Sequence, residues 1–163
     1  KRTVSLIDGF SSMVENWNLS CARALLRMQI DTALRFAAIT LVEKQEDFVK
    51  AVLRDERIDR LTDRAGRRLT DAHLVQTFKT IAPWLPEVYA RTSGYVHSSG
   101  QHIFSSVQGL DYESRTISWG IGSIDDHFPE SSWLEVVECC DAAVLLFAGS
   151  LESWVEAKTR HAV

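Results

Sequence analysis

Long apolar runs are missing from this chain, and that excludes the first class of function. The longest candidate, Ala142–Gly149, is about half of the roughly 18–20 residues a membrane-spanning helix needs. No membrane partner is therefore expected. Lys1-Arg2 is followed by a mixed pattern and not by an apolar block, so the start does not read as a secretory signal. Cysteine is scarce. Cys21, Cys139 and Cys140 are odd in number, two are adjacent, and none has zinc-ligand spacing. They read as small buried apolar residues in a reducing compartment, which makes the expected location cytoplasmic. Asn18-Leu19-Ser20 spells a glycosylation acceptor, but without a secretory context it reads as chance. The chain begins at Lys1 and not at Met, which leaves open that it is a piece of a longer protein.

What is present describes an ordinary globular protein. Of 163 residues, 45% are hydrophobic and 25% charged, enough for one proper core and too few residues to require two domains. Net charge is −4, which argues against nucleic acid until its distribution is considered. Residues 1–110 carry 15 Lys/Arg against 12 Asp/Glu, and 111–163 carry 3 against 10. A basic face can therefore still form on the first two thirds.

Periodicity predicts a mainly α fold: a bundle of about five to six helices with one small hairpin before the last. Leu6, Ile7, Phe10, Met13, Val14 and Trp17 give an amphipathic helix over Val4–Trp17. Asn18 or Ser20 can cap a second, mostly apolar helix to about Val42. Gln45–Leu61 reads as a third with Phe48, Val49, Val52 and Leu53 inward, followed by a turn at residues 63–66. Thr70 or Asp71 opens a short helix to about Ile81, and Pro83 starts another towards His97. His102–Gln108 and Ser114–Ile121 flank Gly109–Glu113 as a hairpin. Ser132-Trp133-Leu134-Glu135 reads as a capping box for a C-terminal helix to about Lys158.

Three features carry possible chemistry. Arg23, Arg27, Asp31 and Arg35 recur every four residues on a helix that is otherwise apolar. Such a stripe faces water and forms ion pairs, or it lines a polar cavity, because burying unpaired charge is costly. The segment Tyr89–His102 packs Arg91, Ser93, Tyr95, His97 and His102 into 14 residues. Histidine exchanges a proton near neutral pH and arginine holds a phosphate bidentately, which are the minimum tools for cleaving RNA without a metal. Six residues apart on a regular helix, Arg91 and His97 are rotated by about 120°, whereas Ser93 and His97 share a face. The plainer alternative is that His97 ends a helix, where a cation suits the dipole. Third, arginines 54, 57, 60, 64, 67 and 68 are interleaved with acids, and Arg64, Arg67 and Arg68 have the fewest acidic neighbours. Those three are the candidate RNA contacts, against a solvated, salt-bridged face. His97 and His102 lack a third ligand at diagnostic spacing, so no metal or other cofactor is expected.

The Arg91-x5-His97 pair resembles the Arg-x(4–6)-His signature of the HEPN superfamily, helical domains of bacterial toxin and phage-defence systems. Asp31-x3-Arg35 is similar to the acidic-x3-basic motif that accompanies it. Tyr89…Ser93-Gly94-Tyr95-Val96-His97-Ser98-Ser99 resembles a Tyr-x3-Ser-x-Tyr-Val-His phrase from an uncharacterised bacterial branch near that superfamily. The resemblance implies one helical domain over residues 1–163, often dimeric, that in active members is a metal-independent endoribonuclease. In such a reading His97 is the general acid or base, Arg91 the phosphate-stabilising cation, and Asp31 with Arg35 their polar support. Ser93, Tyr95 and His102 are accessory. The alternative is a non-catalytic module that dimerises and binds RNA, nucleotide or a partner protein such as an antitoxin. Thr92 stands where Asn, His or Asp usually follows the arginine, a departure that bears on catalysis.

Overall fold

A computed structural model describes residues 1–97 and 99–160. Over the described residues the chain is mainly helical (66%), with seven α-helices and a two-stranded antiparallel hairpin before the last. Its contacts fall into two compact units, Lys1–Gln29 with Val88–Asp141 and Ile30–Glu87 with Ala142–Val163.

In the first unit, α1 (Arg2–Glu15) buries Thr3, Leu6 and Phe10, one apolar stripe of the predicted amphipathic helix. Ile7 and Trp17, predicted inward, are exposed. Trp17 takes φ 54°, which ends the helix and sets its ring edge-on to Trp133 at 5.3 Å. The Asn18 side chain then accepts from Cys21 N–H at 3.0 Å, satisfying an orphan donor at the start of α2 (Leu19–Ala37). Leu19, Ala22 and Leu26 of α2 are buried, as are Trp133, Val136 and Cys140 of α7 (Glu130–Arg160). The other elements of this unit are the main part of α5 (Leu85–Val96), α6 (Gly100–Ser105) and the hairpin.

Two boundaries there correct the expectation. His102–Ser105 are helical and not strand; the Ser105 and Ser106 hydroxyls donate to the His102 carbonyl, so the chain extends only from β1 (Val107–Asp111). β1 pairs with β2 (Thr116–Trp119) from Asp111↔Thr116 to Val107↔Trp119, with an irregularity between Val107 and Gly109. Asp111 closes the turn by accepting from Glu113 N–H, Ser114 N–H and the Ser114 hydroxyl, which holds its carboxyl below the usual range. The predicted capping box is also displaced. α7 starts at Glu130, just after Pro129, so Ser132 lies inside the first turn and donates its N–H to the Pro129 carbonyl.

In the second unit, Ile30, Ala33, Leu34 and Ala37 of α2 are buried with Ala38, Ile39 and Val42. α3 (Gln45–Leu53) is shorter than predicted because Asp55 adopts φ 58° and breaks it. Phe48 and Ala51 face the core, whereas Val49, Val52 and Leu53 are exposed, contrary to expectation. α4 (Asp71–Phe78) is capped by the Thr70 hydroxyl, which accepts from His73 N–H, and buries Leu74, Val75 and Phe78. From α7, the rings of Phe147 and Trp154 meet Phe36 at 5.0 and 6.5 Å. The turn at 63–66 is built on the buried Asp63 carboxylate. It accepts from Ala65 N–H, Arg67 N–H and the Arg67 guanidinium, with His73 Nε2 at 3.0 Å. Those hydrogen bonds pull its pKa down to about 2. No helix of the described residues is long and apolar enough to cross a membrane.

Candidate functional site

The arginine stripe on α2 divides. Arg27 is 5% exposed, and its guanidinium lies 3.5 Å from the centroid of the Tyr89 ring. A desolvated cation over an aromatic face is worth ~2 kcal/mol, so this residue belongs to the packing. Arg23, one turn earlier, is half-buried and donates to the Tyr95 hydroxyl at 2.7 Å. Its guanidinium also sits 5.2 Å from the centroids of both Tyr95 and Phe128. Asp31 and Arg35 belong to the second unit; Arg35 is exposed and reaches Asp71 at 3.7 Å.

Arg23 opens onto a cleft of about 280 Å³ whose lining includes Leu26, Arg91, Thr92, Tyr95, Glu135 and Cys139. The α5 helix supplies Arg91, Thr92 and Tyr95. Thr92 is buried and its hydroxyl donates to the Val88 carbonyl at 2.6 Å, so Thr92 serves its own helix. Arg91 points outward and donates to the Glu135 carboxylate of α7 at 2.6 Å. With side chains 62% and 50% exposed, this pair is worth only ~0.2–1 kcal/mol. Two guanidiniums and a phenol on one cleft wall suit a phosphate or another oxyanion.

The predicted site residues are only partly brought together. Arg91 and Tyr95 share the cleft, but His97 does not line it. His97 follows the last residue of α5, is exposed, and donates its backbone N–H to the Ser93 carbonyl. Among the described residues its ring makes no hydrogen bond, ion pair or ring contact. Ser93 is half-buried one turn earlier. Ser98, part of the quoted phrase, lies outside the described residues. His102 is exposed and meets Tyr95 edge-on at 6.0 Å between centroids. It lines a second groove, of about 590 Å³, with His127, Gln108, Gly122 and Asp125.

The candidate RNA contacts sit in the second unit. Arg67 is committed to Asp63, whereas Arg64 and Arg68 are exposed and make no ion pair among the described residues. Cys21 is exposed, Cys139 half-buried and only Cys140 buried, which corrects the reading of all three as core residues. Burial first, then Asp141, raises the Cys140 thiol to about 11 and leaves it unreactive. No group of three or more His, Cys, Asp or Glu among the described residues is arranged to hold a metal ion.

Sequence reasoning read Glu135 only as part of a capping box and Arg23 only as one of a stripe that faces water or lines a polar cavity. Nothing in the sequence ties Glu135 to its partner 44 positions away. Arg23 carried a signal, since a cation recurring on an apolar helix must find a partner or an opening. Compared with known proteins, the chain matches no family model, no curated protein and no solved structure.

Proposed function

We propose that the chain is a HEPN-like RNA-binding module that holds a phosphodiester between Arg23 and Arg91. The observation carrying this reading is that guanidiniums from two helices line one small cleft with the Tyr95 hydroxyl. Arg23 spends one of its five N–H donors on Tyr95. The Tyr95 and Phe128 rings, each 5.2 Å from its guanidinium, restrain it, so less side-chain entropy is left to lose on binding. Binding is tested with a fluorescent single-stranded RNA oligonucleotide. Arg23→Ala and Arg91→Ala should each weaken it about ten-fold or more. One neutralised phosphate gives a log–log salt slope of about −0.7. Unchanged affinity in both variants, with intact melting curves, would sink the reading.

A catalytic reading is favoured by one feature, the exposed imidazole of His97, without a partner among the described residues, at the end of the helix that carries Arg91. There His97 would move the proton and Arg91 would stabilise charge on phosphorus, as a metal-independent endoribonuclease of toxin or phage-defence biology. Incubating total RNA with the protein in EDTA, wild type beside His97→Ala, decides it: cleavage by wild type alone is the expected result. The homodimer and an antitoxin or other protein partner stay within the same proposal, and sedimentation equilibrium reads the dimer directly.

A further inference from the structure

The first cleft, at about 280 Å³, falls just short of the ~300–1,000 Å³ typical of sites that enclose a whole small ligand. It has room for a phosphate group. The second groove, at about 590 Å³, has room for a nucleoside. The two are joined by side chains. Tyr95 lines the first, its ring meets His102 edge-on at 6.0 Å, and His102 lines the second.

The groove's wall suits a planar, hydrogen-bonding ligand. The His127 ring is tilted against Phe128 with centroids 4.5 Å apart, and Phe128 in turn lies against Arg23. His102 and His127 thus stand at the two ends of one aromatic–cation array, His102–Tyr95–Arg23–Phe128–His127. Neither imidazole has a hydrogen-bond partner among the described residues, so both keep a face and their nitrogens for a ligand. The floor is fixed: Asp125 accepts from Ser20 N–H at 2.9 Å and donates its own N–H to the Trp17 carbonyl at 2.7 Å. Loops carrying aromatic and hydrogen-bonding groups beside a cation are how single-stranded nucleic acid is held with little sequence preference.

We infer that the groove bounded by His102 and His127 receives the nucleoside adjoining the phosphate held by Arg23 and Arg91, so the unit recognised is a whole nucleotide and not a bare phosphate. This rests on the phosphate reading of the first cleft. The test compares inorganic phosphate with uridine monophosphate. Binding is measured with the intact chain by calorimetry. A stacked base contributes ~1–3 kcal/mol, so uridine monophosphate should bind roughly 5- to 150-fold tighter than inorganic phosphate. His102→Ala with His127→Ala should remove most of that gain and leave inorganic phosphate unchanged. Gly122→Trp is an independent check. A side chain there meets nothing within 4 Å and the backbone needs no positive φ, so the indole fills the groove without straining the fold. It should abolish the gain from the nucleoside as well. Equal affinity for the two probes, or a gain that survives both the histidine and the Gly122→Trp changes, overturns the groove while the first cleft stands. Insensitivity of both probes to Arg23→Ala and Arg91→Ala overturns the first cleft and the groove together.

Discussion

Replacing Glu135 by glutamine asks whether the cleft holds its own competitor. The carboxylate occupies a donor of Arg91 at 2.6 Å, and an incoming phosphate must take that place. The pair is more than half exposed on the arginine side, so breaking it costs ~0.2–1 kcal/mol. Glutamine keeps the size and an amide oxygen but removes the charge, so that cost largely disappears. The charge itself also opposes a phosphate beside it. At the high effective dielectric of an exposed site that adds on the order of 1 kcal/mol at low salt, and less as salt screens it. Together the two effects predict RNA affinity tighter by roughly 2- to 20-fold in Glu135→Gln at low ionic strength. The gain should shrink towards the lower figure as salt rises. Fluorescence anisotropy of a labelled single-stranded oligonucleotide, titrated at two salt concentrations, reads both quantities. Stability should move by no more than the worth of one surface pair. Weaker binding by Glu135→Gln would show that the carboxylate positions Arg91 for the ligand, and would refute the competition argument.

Other parts of the molecule yield further expectations. Asp63 has its pKa pulled from 3.8 to about 2 by hydrogen bonds in the folded state; the stability this contributes is full above pH 3.8 and lost as pH falls through 2. Thermal melts across that window should show an acid limb that is shallower in Asp63→Asn, with a lower melting temperature at neutral pH; an identical limb would refute the assignment. Gln29 is 1% exposed and neither polar atom of its amide has a hydrogen-bond partner among the described residues. Gln29→Met should therefore stabilise the fold by about 1–3 kcal/mol, and chemical denaturation showing a loss would refute this. Leu26 is 2% exposed beneath the cleft, so Leu26→Ala should cost about 2–5 kcal/mol. A denaturation midpoint shift below that range would mean the cleft floor collapses to fill the space.

Local signals in the sequence were reliable where one chemical group decides the backbone. Asn18 caps α2 and Thr70 caps α4 as their side chains allow. The apolar spacing of Leu6 and Phe10 found its core. Errors cluster where a boundary depends on a single backbone angle, such as the positive φ at Asp55 that cuts α3 short. Composition cannot announce such an angle on a non-glycine residue. They also arise where two readings share one pattern: His102–Gln108 is β-branched and aromatic enough for a strand, yet hydroxyl bonds at Ser105 and Ser106 keep its first half helical. The candidate site was legible as a segment, Tyr89–His102, but not as a geometry. Glu135 and Phe128 reach it only through tertiary folding.

The stripe on α2 shows why spacing alone could not tell structure from function. Arg23 and Arg27 are one turn apart on one helix, and each lies against a tyrosine of α5. Their difference is access. Arg27 is buried over Tyr89, and removing a desolvated cation's partner costs far more than a surface contact. Its charge is therefore committed to holding α2 against α5. Arg23 has the same kind of ring contact, but it lies on the cleft wall and its only hydrogen bond among the described residues goes to Tyr95. The ring contacts restrain the guanidinium, which lines a volume large enough for one phosphate. Arg91 approaches the same volume from α5, where it forms an exposed ion pair with Glu135. One arginine is thus preorganised and the other exchangeable, and a site of that kind admits an anion without leaving a buried charge uncompensated when empty.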